Sequence, residues 1–114
     1  MNGFDNMTVE ASAAYLRTRG YDVLDVLAGN EAVKIVARDN ETDDIVFASV
    51  QARKDANEPM PAEPQRAKFE AEACEWLADH EILGSCRFDA VLVTVATGNR
   101  ALLRHHVDCL GGDI

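Results

Sequence analysis

The sequence lacks a long hydrophobic run. No apolar stretch approaches the roughly 20 residues that a membrane-spanning helix requires. The opening segment, MNGFDNMTVE, has neither the basic start nor the apolar stretch of a signal peptide. We therefore expect a cytoplasmic protein that does not associate with membranes.

Cysteines are also few. The chain has three, Cys74, Cys86 and Cys109, and their spacing contains neither a CxxC pair nor a Cys/His zinc pattern. An odd number of cysteines in a chain that is not exported favours reduced thiols over a disulfide framework. Cys74 falls inside a helical pattern, where we predict a small, buried, apolar residue.

Positively charged residues are also scarce relative to negatively charged ones. The 11 Lys and Arg residues are outnumbered by 20 Asp and Glu residues, which gives a formal net charge of −9. Nucleic-acid binding depends largely on Lys and Arg side chains that neutralise phosphates and release counterions, and an acidic domain repels a phosphate backbone at long range. The composition therefore disfavours nucleic acid as a partner without excluding it.

The composition suits one globular core. The chain has 114 residues, of which 47% are hydrophobic, so we predict a single domain over residues 1–114. Apolar periodicity and turn-forming residues predict the order α-β-β-β-α-β with a short strand at the end, over residues 8–19, 21–28, 31–39, 44–52, 64–82, 87–97 and 101–107.

Local signals predict where the helices begin and end. Thr8 is expected to cap the first helix and Pro64 to lie in the first turn of the second. Gly20 and Gly84 are expected to end them. The apolar helix faces consist of Val9, Ala13 and Leu16 in the first helix and of Phe69, Ala73, Trp76 and Leu77 in the second.

Strand spacing predicts the sheet. The short connections between the first three strands require an antiparallel meander, because a parallel return needs a crossover of a dozen or more residues. The third strand is apolar on both faces at its start, from Ile45 to Ala48. We therefore expect it at the centre of a mixed sheet that helices cover from both sides.

Seven short strings cover nearly the whole chain in a recognisable order. They are AAYLRTRGYDVL (13–24), EAVKIVARD (31–39), IVFASVQAR (45–53), PQRAK (64–68), AEACEWLADH (71–80), RFDAVLV (87–93) and LRHHVD (103–108). Together they resemble the YraN-type family of uncharacterised bacterial proteins, which are predicted nucleases of the PD-(D/E)xK superfamily. The resemblance implies the restriction-endonuclease-like fold, an α/β architecture with a mixed four- or five-stranded central sheet flanked by helices.

The resemblance also implies where a nuclease site would lie. In this superfamily an Asp on the second strand and a Glu on the third bind a divalent metal, and a Lys two residues after the Glu helps to position or activate the attacking water. The matching positions here hold Lys34, Ser49 and Gln51. Because hard cations require oxygen ligands, the comparison implies no catalytic residue, no metal and no cofactor at this place.

Lys34 would oppose a metal ion directly. Two unit charges about 4 Å apart interact by roughly 4 kcal/mol at an effective dielectric constant of about 20, so a divalent ion would be opposed by about 8 kcal/mol. We interpret Lys34 as a side chain whose stem packs on the sheet while its ammonium group reaches solvent. An ion pair inside the former cleft is the alternative. Ser49 and Gln51 are expected to face the same cleft.

Other candidate sites are weaker. The cations most suited to a basic rim for nucleic acid are Arg53, Lys54, Arg66 and Lys68. Many acidic residues in the same region favour a solvated, mixed-charge surface instead. His105 and His106 are neighbours on a predicted strand, so they point to opposite faces and cannot hold one metal ion together.

Three functions follow from these observations. The favoured hypothesis is a catalytically inactive pseudo-nuclease that binds an unknown protein partner or, less favourably, nucleic acid. The first alternative is an active Mg²⁺- or Mn²⁺-dependent endonuclease whose acidic ligands have moved to Glu10, Glu31, Asp39 or Asp44. The second is a protein-interaction or dimerisation module, with a homodimer as one assembly and Met60 as a candidate contact.

Overall fold

The computed structural model of the chain describes residues 3–27, 29–55, 57–59, 65–82, 84–96 and 100–109. Within these residues the chain forms two helices and five strands: α1 (Gly3–Thr18), β1 (Tyr21–Val26), β2 (Ile35–Asp39), β3 (Ile45–Arg53), α2 (Arg66–His80), β4 (Cys86–Ala96) and β5 (Arg100–His106). This confirms the predicted order, including the final short strand.

The five strands form one mixed sheet in the order β1-β2-β3-β4-β5. β1, β2 and β3 are antiparallel neighbours, as the short turns between them require. β4 lies parallel to β3, because the segment containing α2 returns the chain to the same end of the sheet. β5 then pairs antiparallel with β4 at the edge.

The helices cover opposite faces of the sheet. α1 packs Val9, Ala13 and Leu16 against a cluster on one face. α2 packs Phe69, Ala73 and Trp76 against the other face. Residues 45–49 of the central strand β3 are all buried, so the predicted sheet covered on both sides is confirmed, with the core divided into two apolar layers.

Four local predictions are wrong. β2 begins at Ile35 rather than at residue 31. α1 begins at Gly3 rather than at Thr8, and the carbonyl of Thr8 accepts a hydrogen bond of 2.8 Å from the Ser12 hydroxyl inside the helix. α2 ends at Glu81, whose left-handed backbone (φ 49°) lets its N–H bond the carbonyl of Leu77, rather than at Gly84. Cys74 is exposed, because it lies on the solvent side of α2.

Gly20 ends α1 as predicted, with a φ of +89° that an L-residue rarely adopts. Pro64 and Met60 lie outside the described residues. In the part of the chain that the structure describes, no helix combines the length and the apolar character needed to cross a membrane.

Candidate functional site

The positions that the resemblance matches to a nuclease site lie just before β2 and along β3. The backbone N–H of Lys34 donates to the carbonyl of Ala48 at 2.9 Å, which places Lys34 beside the chain at Ser49. Ser49 is buried and Gln51 is half-buried, and both share a sheet face with Phe47, the face that α2 partly covers. The ammonium group of Lys34 donates to the carbonyl of Asn30 in the preceding turn.

The turn before β2 is held in place by a carboxylate that the sequence analysis did not identify. Glu72 of α2 accepts three consecutive backbone N–H groups: that of Glu31 at 3.0 Å on one oxygen, and those of Ala32 and Val33 at 2.8 Å on the other. Burial alone would raise the pKa of Glu72, but these N–H groups and the nearby Lys68 outweigh it, so the pKa is lowered.

The three N–H groups form a concavity of the kind that binds anions in other proteins. Here an internal carboxylate fills it, so a phosphate group would have to displace Glu72 to bind at this place. No local signal in the sequence identifies this contact, because Glu72 follows the pattern of a solvated helix position and its partners are 39 to 41 residues away.

The residues at the matched positions do not fit a metal ion. Their side chains supply an ammonium group, a hydroxyl and an amide but no carboxylate, and the ammonium repels a cation. Across the described ranges, no group of three or more His, Cys, Asp or Glu side chains is arranged to hold a metal.

The alternative acidic ligands lie in separate places. Glu31 forms an ion pair with Lys68 at 3.5 Å beside the turn before β2. Asp39 and Asp44 meet at the opposite end of β2, where Arg87 lies 2.9 Å from the first and 3.5 Å from the second. Glu10 is exposed on α1. The structure therefore brings together only two of the four candidates, and a cation of the chain lies between them.

Arg87 is the centre of a largely buried polar network on the α1 side of the sheet. Its Nε and Nη2 atoms donate to the two oxygens of Asp89 at 2.9 Å. Nη1 donates to Asp39 at 2.9 Å and Nη2 to the hydroxyl of Tyr21 at 2.8 Å. These bonds use all three nitrogens of the guanidinium group, so the arrangement is structural and leaves little capacity for a ligand.

Asp89 is fully buried and is held from several directions. Besides Arg87, its oxygens contact His105 Nε2 at 2.7 Å and accept the N–H of Asp108 at 2.9 Å. Burial would raise the pKa of Asp89, but the bonds from His105, Arg87 and the backbone outweigh it and lower the pKa. The hydrogen bonds that Arg87 donates to Asp89 and Asp39 raise the pKa of Arg87. His105 thus faces inward while His106 is exposed, as strand alternation predicts.

The predicted basic rim is not one surface of unpaired cations. Arg66 pairs with Glu70 at 2.7 Å and Lys68 with Glu31 at 3.5 Å. Lys54 is exposed after β3. Arg53 at the end of β3 donates to the Thr94 hydroxyl at 2.9 Å.

Arg53 instead belongs to a surface that the sequence analysis did not identify. The β3–β5 groove, of about 620 Å³, lies over the last three strands and is lined by Arg53, Leu92, Thr94, Leu102, Leu103, Arg104 and His106. Sequence alone gives no sign of this surface, because Arg53 and Arg104 are brought together only by the pairing of both β3 and β5 with β4.

Comparison with known proteins leaves the family open. No protein-family model matches the chain, and no curated protein matches it at a significant level.

Proposed function

We propose that the chain is a non-catalytic relative of the restriction-endonuclease-like nucleases that retains their scaffold and acts as a binding domain for a protein partner. The helix and strand order, the central position of β3 and the mixed sheet are compatible with that scaffold. The YraN-type strings in the sequence favour the same assignment.

The observation that carries the proposal is the chemistry at the matched positions. Lys34, Ser49 and Gln51 replace two acidic ligands and a lysine, so the place that would hold a divalent ion has lost negative charge and gained a positive one. Glu72 fills the adjacent group of N–H donors, so that the nearest anion-binding concavity is occupied by the protein itself.

The net charge of −9 favours a protein partner over nucleic acid. Phosphate backbones bind through several cations that release counterions together, whereas Arg66 and Lys68 are already paired with carboxylates. A protein partner needs complementary patches rather than a uniform positive field.

A nuclease assay combined with rebuilding of the site tests the proposal. The chain is incubated with Mg²⁺ or Mn²⁺ and single-stranded, duplex or branched DNA, and Mn²⁺ uptake is followed by calorimetry. We expect no cleavage and no stoichiometric uptake. The triple variant Lys34→Asp, Ser49→Glu, Gln51→Lys is expected to gain Mn²⁺ binding, because it restores two carboxylates on neighbouring strands.

The single variant Lys54→Asp is the control, since it adds a carboxylate on the surface after β3 without rebuilding the site. Cleavage by the unmodified chain that disappears in Glu31→Ala or Asp39→Ala would contradict the proposal and support the relocated-ligand nuclease.

A further inference from the structure

We propose that the β3–β5 groove binds an acidic amphipathic helix of the partner protein. This inference rests on the proposed binding function and names the surface and the chemistry of the segment that binds there. The groove is distinct from the matched positions, although Ser49 and Gln51 lie on the same face of β3.

Among the described residues, α2 covers only part of this face of the sheet. α2 packs Phe69 and Trp76 against Phe47 and Phe88, so it covers β3 and the beginning of β4. Farther along, Leu102 of β5 pairs with Thr94 of β4 on the same face and is 66% exposed. A helix is the element that ordinarily covers such a face.

The dimensions of the open face suit one helix. Neighbouring strands lie about 4.8 Å apart, so the distance from β3 to β5 is about 10 Å. A helix with its side chains is about 10 Å across. An apolar stripe on the incoming helix would contact Leu92 on β4 and Leu102 on β5.

The basic side chains of the groove favour binding of an acidic helix. Its ionisable side chains are Arg53, Arg104 and His106, in a chain whose net charge is −9. Arg53 is oriented by its bonds to the Thr94 hydroxyl and to the carbonyl of Glu58 at 3.2 Å. Among the residues that the structure describes, Arg104 makes no salt bridge, so its guanidinium group is available to a carboxylate.

Within the described part of the chain, Glu58 lies beside Arg53 but forms no salt bridge with Arg53 or Arg104. The side chain of Glu58 accepts the backbone N–H of Lys54 at 3.0 Å. Arg53 on β3 and Arg104 on β5 lie on opposite sides of β4, so acidic residues on either side of the apolar stripe of a helix would meet Arg53 on one side and Arg104 on the other. Nucleic acid fits less well, because the groove offers three basic groups and the rest of the molecule repels phosphate.

A display selection tests the inference. The probe is a library of 18-residue helical peptides with a fixed Leu/Ile stripe and flanking positions randomised among Glu, Gln, Ser and Lys. We expect the full chain to enrich peptides with Glu on both flanks. We expect Arg53→Glu or Arg104→Glu to weaken the binding of an enriched peptide at least tenfold, and Leu102→Ser to weaken it as well.

Arg17→Glu is the matched control, because it reverses an exposed charge on α1 and should leave peptide affinity unchanged. Amide NMR spectra of each variant establish that the fold is retained. Absence of enrichment, enrichment without a preference for Glu, or binding that Arg104→Glu leaves unchanged would each overturn the inference. So would a 12-base-pair DNA duplex that binds more tightly than any peptide and depends on Arg104.

Different results would contradict the proposed function and the proposed binding groove. DNA cleavage by the unmodified chain contradicts the proposed function whatever the library gives. A chain that cleaves no DNA and enriches no acidic helix contradicts the groove assignment alone.

Discussion

Arg87 provides the main countercharge for the buried carboxylates of Asp89 and Asp39. It donates to Asp89 and Asp39, which lie on strands separated by β3, and it also contacts the hydroxyl of Tyr21 on β1. Asp89 is fully buried, so removal of Arg87 would leave a carboxylate in a low-dielectric environment without its main countercharge.

We expect Arg87→Met to lower the free energy of unfolding by about 3–5 kcal/mol, the range typical for breaking a buried ion pair. Urea denaturation followed by circular dichroism measures the change. Arg38→Met is the control, because the pair between Arg38 and Asp43 at 3.0 Å is largely exposed and should contribute no more than about 1 kcal/mol. A similar loss for both variants would contradict the account of Arg87.

At the scale of secondary-structure elements, Glu72 connects a helix to the sheet. It joins α2 to the turn before β2 through three charge-assisted hydrogen bonds to backbone N–H groups. Trp76 extends the same attachment to β1, since its indole N–H donates to Asp25 at 2.9 Å and its ring stacks on His80 with centroids 4.0 Å apart. α2 is thus held to the first half of the sheet, away from the β3–β5 groove.

We expect Glu72→Ala to lower the free energy of unfolding by about 2–3 kcal/mol, because it leaves backbone donors of a partly buried turn without their acceptor. Thermal or urea denaturation measures this loss, and amide hydrogen exchange should show faster exchange at residues 31–33. Glu75→Ala is the matched control on the exposed side of the same helix, with an expected effect within about 0.5 kcal/mol. Unchanged exchange in the Glu72 variant would contradict the role assigned to this carboxylate.

The pH dependence of stability belongs to the molecule as a whole. In the folded state the pKa values of Asp39, Glu72 and Asp89 are all lowered, despite burial, by hydrogen bonds and positive charge. Protons therefore bind more tightly to these groups in the unfolded chain, and the stabilisation is complete only above their unfolded pKa values.

We expect stability to be constant near neutral pH and to fall as the pH drops below about 4, the ordinary range of carboxyl groups. Urea denaturation at a series of pH values between neutral and pH 2 measures this. Glu72→Gln should reduce the dependence, because the amide oxygen can still accept backbone N–H groups but the amide does not titrate. A stability that increases on acidification would show that repulsion among the excess carboxylates outweighs these three groups.

Much of the fold could be predicted from local sequence. Apolar spacing identified the buried faces of both helices, and turn formers with short connections identified the antiparallel meander of β1, β2 and β3. The ends of the helices were less predictable. Thr8 resembles a cap but lies inside α1, and the left-handed residue after α2 is Glu81 rather than a glycine.

The resemblance names Lys34, Ser49 and Gln51 from short strings in the sequence, and its assignment of a nuclease site to them stays a prediction. The contacts that surround these residues could not be predicted from the sequence. Glu72 reaches residues 31–33 across about 40 positions, and Arg87 reaches Tyr21 across 66.

The sequence by itself therefore determined the order of the elements and the apolar face of each helix, since periodicity and residue type are local properties. Only the tertiary structure decided which carboxylates are bound by Arg87, which N–H groups Glu72 accepts and which part of the sheet α2 covers. The physical reason is that these contacts depend on strand order and register, which fix the distances between side chains far apart along the chain.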